Sequence, residues 1–180
     1  MVFSKRLSVL LGVCLLIVCL TGTSYSAQSA GDNEIQLSGG FFKAQGTDVG
    51  TATLDVAYGY YLSKPWQIGI AQTLNYSIID GADDTWTAST IPFVTYHFLG
   101  LAMNDSFQPS LGAFVGAIYN ENNTTGTAGP SVGFKTYVNE KTFILTRYRY
   151  EWFFDNFDLG DVSDTSHGNH VVTLGLGFQW

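Results

Sequence analysis

From residue 34 to Trp180, large apolar side chains alternate with small or polar ones, and the small set is rich in glycine. In "HVVTLGLGFQW" (170–180) one face carries His170, Val172, Leu174, Leu176, Phe178 and Trp180, and the other Val171, Thr173, Gly175, Gly177 and Gln179. A period of two is the mark of an extended strand, not a helix. A soluble sandwich would turn its small face to water. Strand surfaces rarely choose glycine there, because it weakens the strand and packs nothing. Here the minor face carries Gly40, Gly59, Gly69, Gly112, Gly116, Gly133, Gly175 and Gly177. A narrow closed tube accounts for them, since eight strands enclose a space just wide enough for side chains.

The period divides the chain into eight segments: 34–42, 52–62, 66–78, 87–99, 107–119, 129–138, 143–154 and 170–180. Each has the length of a membrane strand, about 9–11 residues. Pro92, inside the fourth, is expected to mark a bulge. Strand two sets Leu54, Val56, Tyr58, Tyr60 and Leu62 against Thr53, Asp55, Ala57, Gly59 and Tyr61. Strand three sets Trp66, Ile68, Ile70, Leu74 and Tyr76 against Gln67, Gly69, Ala71, Thr73 and Asn75. The connections alternate: 43–51, 79–86, 120–128 and 155–169 are long, 63–65 and 139–142 short, and 100–106 intermediate. Short turns at one end and long loops at the other are the outer-membrane pattern. The expected fold is therefore all-β, an eight-stranded antiparallel transmembrane β-barrel of up-and-down order, with both termini on the periplasmic, short-turn side.

The first 27 residues read as a secretory signal peptide. Lys5 and Arg6 precede the apolar run "SVLLGVCLLIVCL" and the small polar stretch "TGTSYSAQSA", with cleavage expected between Ser26 and Ala30. Both cysteines, Cys14 and Cys19, lie in that segment, and the bulky Val13 and Val18 before them do not suit a lipoprotein. Residues 28–180, the barrel domain, then carry no disulfide. Loss of Lys5 and Arg6 leaves six basic against 15 acidic residues, a net charge of −9. That argues against a nucleic-acid partner.

Trp180 ends the apolar stripe where an indole suits a membrane–water boundary. On this pattern the chain resembles the small outer-membrane β-barrel family of Gram-negative bacteria, similar to the OmpA transmembrane domain and to OmpX-like proteins. The resemblance covers the whole of 28–180. It implies residence in the outer membrane among lipid and lipopolysaccharide, and a monomer. It also implies that the last strand, through Leu174, Leu176, Phe178 and Trp180, serves as the signal to the barrel-assembly machinery, although family members most often end in Phe. No peptidoglycan-binding domain is expected after the barrel.

Parity places six charges in the lumen, Glu34, Asp55, Lys135, Arg147, Arg149 and Glu151, which sum to zero. Buried charge is tolerated when paired and hydrogen-bonded, so a balanced set reads first as structural, and each lumenal Arg is expected to have a carboxylate partner. The functional alternative is a gate whose pairs exchange. Gly133 is expected beside Arg147 or Arg149, making room for a guanidinium. His97 near the periplasmic end is expected to make a lumenal hydrogen bond.

Asp48, Asp80, Asp83, Asp84, Glu121, Asp155, Asp158, Asp161 and Asp164 crowd the long loops. Such runs are usually solvated. Their functional reading is divalent-cation bridging to lipopolysaccharide phosphates, with Asp155, Asp158, Asp161 and Asp164 as weak metal candidates. No cofactor is expected. Catalysis on lipid would draw on "SDTSHGNH", using Ser163, Ser166, His167 and His170 with Glu151 or Asp155 as the acid. Parity disfavours it, because Glu151 points inward and His170 outward. The expected role is thus non-enzymatic, in envelope integrity or surface binding and adhesion. A small-solute pore is the alternative, and a lipid A- or phospholipid-modifying enzyme stands third.

Overall fold

Alternation becomes a wall when each strand finds a neighbour on both sides. In the computed structural model, which describes residues 28–43, 49–79, 85–100, 106–121, 123–154 and 168–180, eight strands do so. They are β1 (Asn33–Lys43), β2 (Val49–Tyr61), β3 (Trp66–Ile79), β4 (Thr85–His97), β5 (Phe107–Tyr119), β6 (Thr124–Tyr137), β7 (Thr142–Phe154) and β8 (Gly168–Gln179). Each pairs antiparallel with the next, and β8 returns to β1 through Glu34↔Gln179 to Ser38↔Gly175. Closure leaves no unpaired edge. Among the described residues no helix is long and apolar enough to cross a membrane.

The termini meet at one end of the barrel, here the terminal end. Asn33 N donates to Trp180 O at 2.9 Å and Trp180 N to Asn33 O at 3.0 Å. The turns 62–65 and 138–141, the end of β4 and the start of β5 lie at the same end. The other, the loop end, is where β1, β3, β5 and β7 finish.

The faces follow the parity of the sequence. Val172, Leu174 and Leu176 are 72%, 65% and 60% exposed on the outside, while Gly177 and Gln179 of the same strand are buried. Such an exterior has no place in water but suits hydrocarbon. Polar groups on the outer face satisfy one another: Thr90 Oγ1 donates to Gln72 Oε1 at 2.7 Å and Gln72 Nε2 to Tyr119 Oη at 3.0 Å.

Three expectations about the wall need correction. Pro92 makes no bulge. The β4–β5 ladder skips Ile91 and Pro92 and resumes at Phe93↔Phe114 in the same register. Proline lacks the N–H a ladder bond needs, so a rung is lost without an inserted residue. A matching gap sits at Gly129 and Pro130 between β6 and β7. Next, 120–128 is not a long loop. β6 starts at Thr124, and Asn123 N donates to Asn120 Oδ1 at 2.8 Å, so the end of β5 and the start of β6 are drawn together. Finally, the inner face is not only polar or glycine, since Ile91, Phe114, Phe143 and Leu145 are buried there.

Candidate functional site: the lumen

The terminal half of the lumen is built around Glu34, whose carboxylate accepts four hydrogen bonds. Gln36 Nε2 and Gln67 Nε2 donate to Oε1 at 2.6 and 2.9 Å, and Tyr61 Oη and Lys135 Nζ donate to Oε2 at 2.9 and 2.5 Å. Glu34 and Lys135 are both fully buried. Lys135 Nζ also donates to Tyr61 Oη at 2.7 Å and lies 4.6 Å from the Phe143 ring centroid. A buried ion pair repays its desolvation only when geometry is good and its remaining valences are filled, and here they are. The layer extends through Gln67 Oε1, which meets His97 Nε2 at 3.2 Å.

Arg147 departs from expectation. Its Nη2 donates to Gln36 Oε1 at 2.5 Å, and among the described residues no carboxylate lies within ion-pair distance of it. The reason is occupancy. Glu34 is filled by its four donors, so the guanidinium takes the amide oxygen whose own N–H₂ binds Glu34. Gln36 thus relays Arg147 to the carboxylate. Tyr61 and Gln67 stand on the inner face that parity gives, and Gln36 shares the parity of Glu34, but none carries a charge that marks it in the sequence as part of the network. Gly133 does pair with Arg147, but a Cβ there would stand 2.7 Å from Thr146 O and 3.3 Å from Arg147 Cα. The glycine admits close backbone, not the guanidinium.

Apolar side chains share the lumen with these charges, the Arg147 guanidinium lying over the Phe93 ring and that of Arg149 over Phe114. Ala57, Ala71, Ile91 and Phe114 pack together with Phe93 against them, and Tyr137, Phe143 and Leu145 form a second cluster at the terminal end. Rings fill the space that glycines leave. A Cβ on Gly177 would lie 2.1 Å from Phe143 Cζ, and one on Gly69 2.3 Å from Phe93 Cζ.

The loop half differs. A cavity of about 450 Å³ opens there, lined by Asp55, Arg149 and Glu151 together with hydroxyl and amide groups such as Thr53, Asn75 and Ser89. Asp55 accepts from Thr73 Oγ1 at 2.7 Å and Ser38 Oγ at 3.3 Å. Arg149 Nη2 meets Glu151 Oε1 at 3.6 Å.

The other candidates are dispersed. Glu151 is buried in the lumen, while His170 is exposed outside, with Tyr148 Oη 2.6 Å from its Nδ1. The wall separates them. Ser163, Ser166, His167, Asp48, Asp80, Asp83, Asp84, Asp155, Asp158, Asp161 and Asp164 lie outside the described residues, as do residues 1–27, the expected signal peptide. Glu121 accepts a hydrogen bond from Trp86 Nε1 at 3.1 Å.

No protein-family model matches the sequence, and no curated protein matches it. Solved structures do match the fold. The outer membrane protein OprG from Pseudomonas aeruginosa aligns with a TM-score of 0.54 and 13% identity, over 87% of this chain and 99% of that one. The N-terminal β-barrel domain of Pseudomonas aeruginosa OprF aligns at 0.54 and 16%, over 85% and 100%. The Yersinia pestis outer membrane protein Ail aligns at 0.52 and 16%, over 83% and 99%. At such identities the likeness is one of architecture: the chain has the fold of the small eight-stranded outer-membrane β-barrels.

Proposed function

We propose that the chain is a resident of the bacterial outer membrane with a sealed lumen, which serves the envelope by integrity or surface binding and not by passing solutes. The observation that carries this reading is the buried Glu34–Lys135 layer, in which one carboxylate holds four donors across the barrel. Opening a path through it would strand a buried charge, which costs about 3–5 kcal/mol. Residues 28–32 add a lid at the terminal end: Gln28 Nε2 donates to Lys64 O, and Gln179 Nε2 to Asp32 Oδ2 at 2.9 Å. In this reading a signal peptide ending at or before Ala27 leaves Gln28 to close that end, which faces the periplasm.

The exterior supports the same placement, with Leu174, Leu176, Phe178 and Trp180 continuous along β8 as the assembly signal. In this reading the acidic residues of the long connections bridge divalent cations to lipopolysaccharide through their carboxylates. The test is a liposome-swelling assay on refolded protein with small sugars and amino acids, run beside mass analysis of lipid A and phospholipid after incubation. Neither swelling nor a mass change is expected. Swelling would establish the pore, and a mass shift the enzyme.

A further inference from the structure

The outer wall carries one group that lipid cannot satisfy. On β3 and β4 two aromatic pairs mark the edges of the apolar band, Trp66↔Tyr96 toward the terminal end and Tyr76↔Trp86 toward the loop end, as aromatic girdles do in such barrels. Gln72↔Thr90 is a rung between them, and the Gln72 side chain is exposed between Ile70 and Leu74. Among the described residues it is the only carboxamide on the outer face inside that band. Thr90, Gln72 and Tyr119 close a ring of hydrogen bonds. Thr90 Oγ1 gives its hydrogen to Gln72 Oε1 at 2.7 Å, Gln72 Nε2 gives one to Tyr119 Oη at 3.0 Å, and Tyr119 Oη, 3.2 Å from Thr90 Oγ1, supplies the third. A carboxamide has two N–H donors and two acceptor lone pairs. One donor and one lone pair of Gln72 are therefore left over, with no partner among the described residues. Hydrocarbon offers no water to take them.

We propose that the outer face of β3–β5 pairs with the same face of a second copy, so that two Gln72 carboxamides meet across a two-fold axis along the membrane normal. Each donates its spare N–H to the spare lone pair of the other. A primary amide is self-complementary in this way, and an isologous contact requires such a group. A lipid chain carries no acceptor at this depth, because its ester and phosphate groups lie beyond the aromatic girdles. A second copy brings the matching amide to the same height. The relief fits as well. Ile70 and Leu74, 47% and 45% exposed, form a ridge on one side of the hydrogen-bonded ring, and Pro92, Ala113 and Ala117 present short side chains on the other. A two-fold axis through the ring sets the ridge of each copy against the low ground of the other. Short side chains let two membrane walls approach closely, and polar groups then bond across the contact. The dimer departs from the expected monomer and takes from the proposed function only residence in a bilayer.

Energy transfer between donor- and acceptor-labelled protein, refolded in phosphatidylcholine vesicles, tests this. Transfer above the level of random proximity is expected, falling reversibly as added lipid dilutes the protein. Gln72→Leu should weaken association about tenfold. Thr146→Leu, which removes a hydroxyl from the opposite wall on β7, should leave it unchanged. Ala113→Trp keeps the hydrogen-bonded ring but fills the low ground, and should weaken association as well, so the surface is tested even if Gln72→Leu fails to fold. Random-level transfer at every lipid ratio, equal association of the wild type and both β3–β5 variants, or association that appears only when lipopolysaccharide is added would overturn the proposal. Liposome swelling reads the lumen separately, so a leaking barrel and a solitary one are distinct failures.

Discussion

Glu34 shows what one residue can hold. Its replacement by Gln keeps the shape but leaves Lys135 buried without a counter-ion, because no other carboxylate lies within ion-pair distance of Lys135 among the described residues. Glu34→Gln should destabilise the barrel by about 3–5 kcal/mol in urea titrations in lipid vesicles. Adding Lys135→Met should recover most of that loss, since removing both partners of a buried pair is often close to neutral. Asp55→Asn should cost less than Glu34→Gln, because Asp55 relies on two hydroxyl donors and an amide oxygen can still accept from one. A second residue-scale test concerns Gly177. Its substitution by Ala drives a methyl into the fully buried Phe143 ring, which Tyr137 and Leu145 hold from behind. Overpacking of this kind costs about 1–3 kcal/mol. Shortening the ring in Gly177→Ala/Phe143→Leu should return part of it, as read by the same titration.

Strands were legible wherever their two faces differ in size. In β8 the contrast between Leu174 and Gly175 is large, so its parity could be read directly. The start of β6 escaped because its faces are alike: Thr125, Thr127 and Gly129 point inward and Gly126, Ala128 and Pro130 outward, all of them small. Alternation without amplitude looks like loop. Pro92 was misread for another reason. Sequence reports a missing N–H, but whether the partner strand bulges or merely skips a rung depends on the neighbour, here Gly116, whose absent Cβ lets Thr90 O approach to 2.4 Å of that position. The charged members of the lumen were visible by parity, while the amide relay through Gln36 was not, since only the filled valences of Glu34 divert Arg147 to it. The face assignment itself can be tested on β8. Leu174→Arg, outward at mid-strand, should cost about 2–4 kcal/mol in folding titrations, and the inward Thr173→Ser should be mild. A harmless arginine would mean the faces are reversed.

At the scale of the molecule, a closed wall, an apolar exterior and a charged, ring-filled interior form one consistent arrangement. Closure depends on the five β1–β8 pairs and on the terminal-end bonds between Asn33 and Trp180. Deleting Phe178 to Trp180 removes the Gln179 and Phe178 rungs and those bonds. The truncated chain should then lose heat-modifiable gel mobility and fail to fractionate with the outer membrane. Retention of both would show that the last rungs are dispensable.

The central claim is that the lumen is sealed, and single-molecule recording in planar bilayers tests it most directly. The wild-type barrel should show no large, steady conductance, and Glu34→Gln/Lys135→Met should stay silent, because apolar side chains still fill the layer. A persistent open channel of porin size in the wild type would contradict the account.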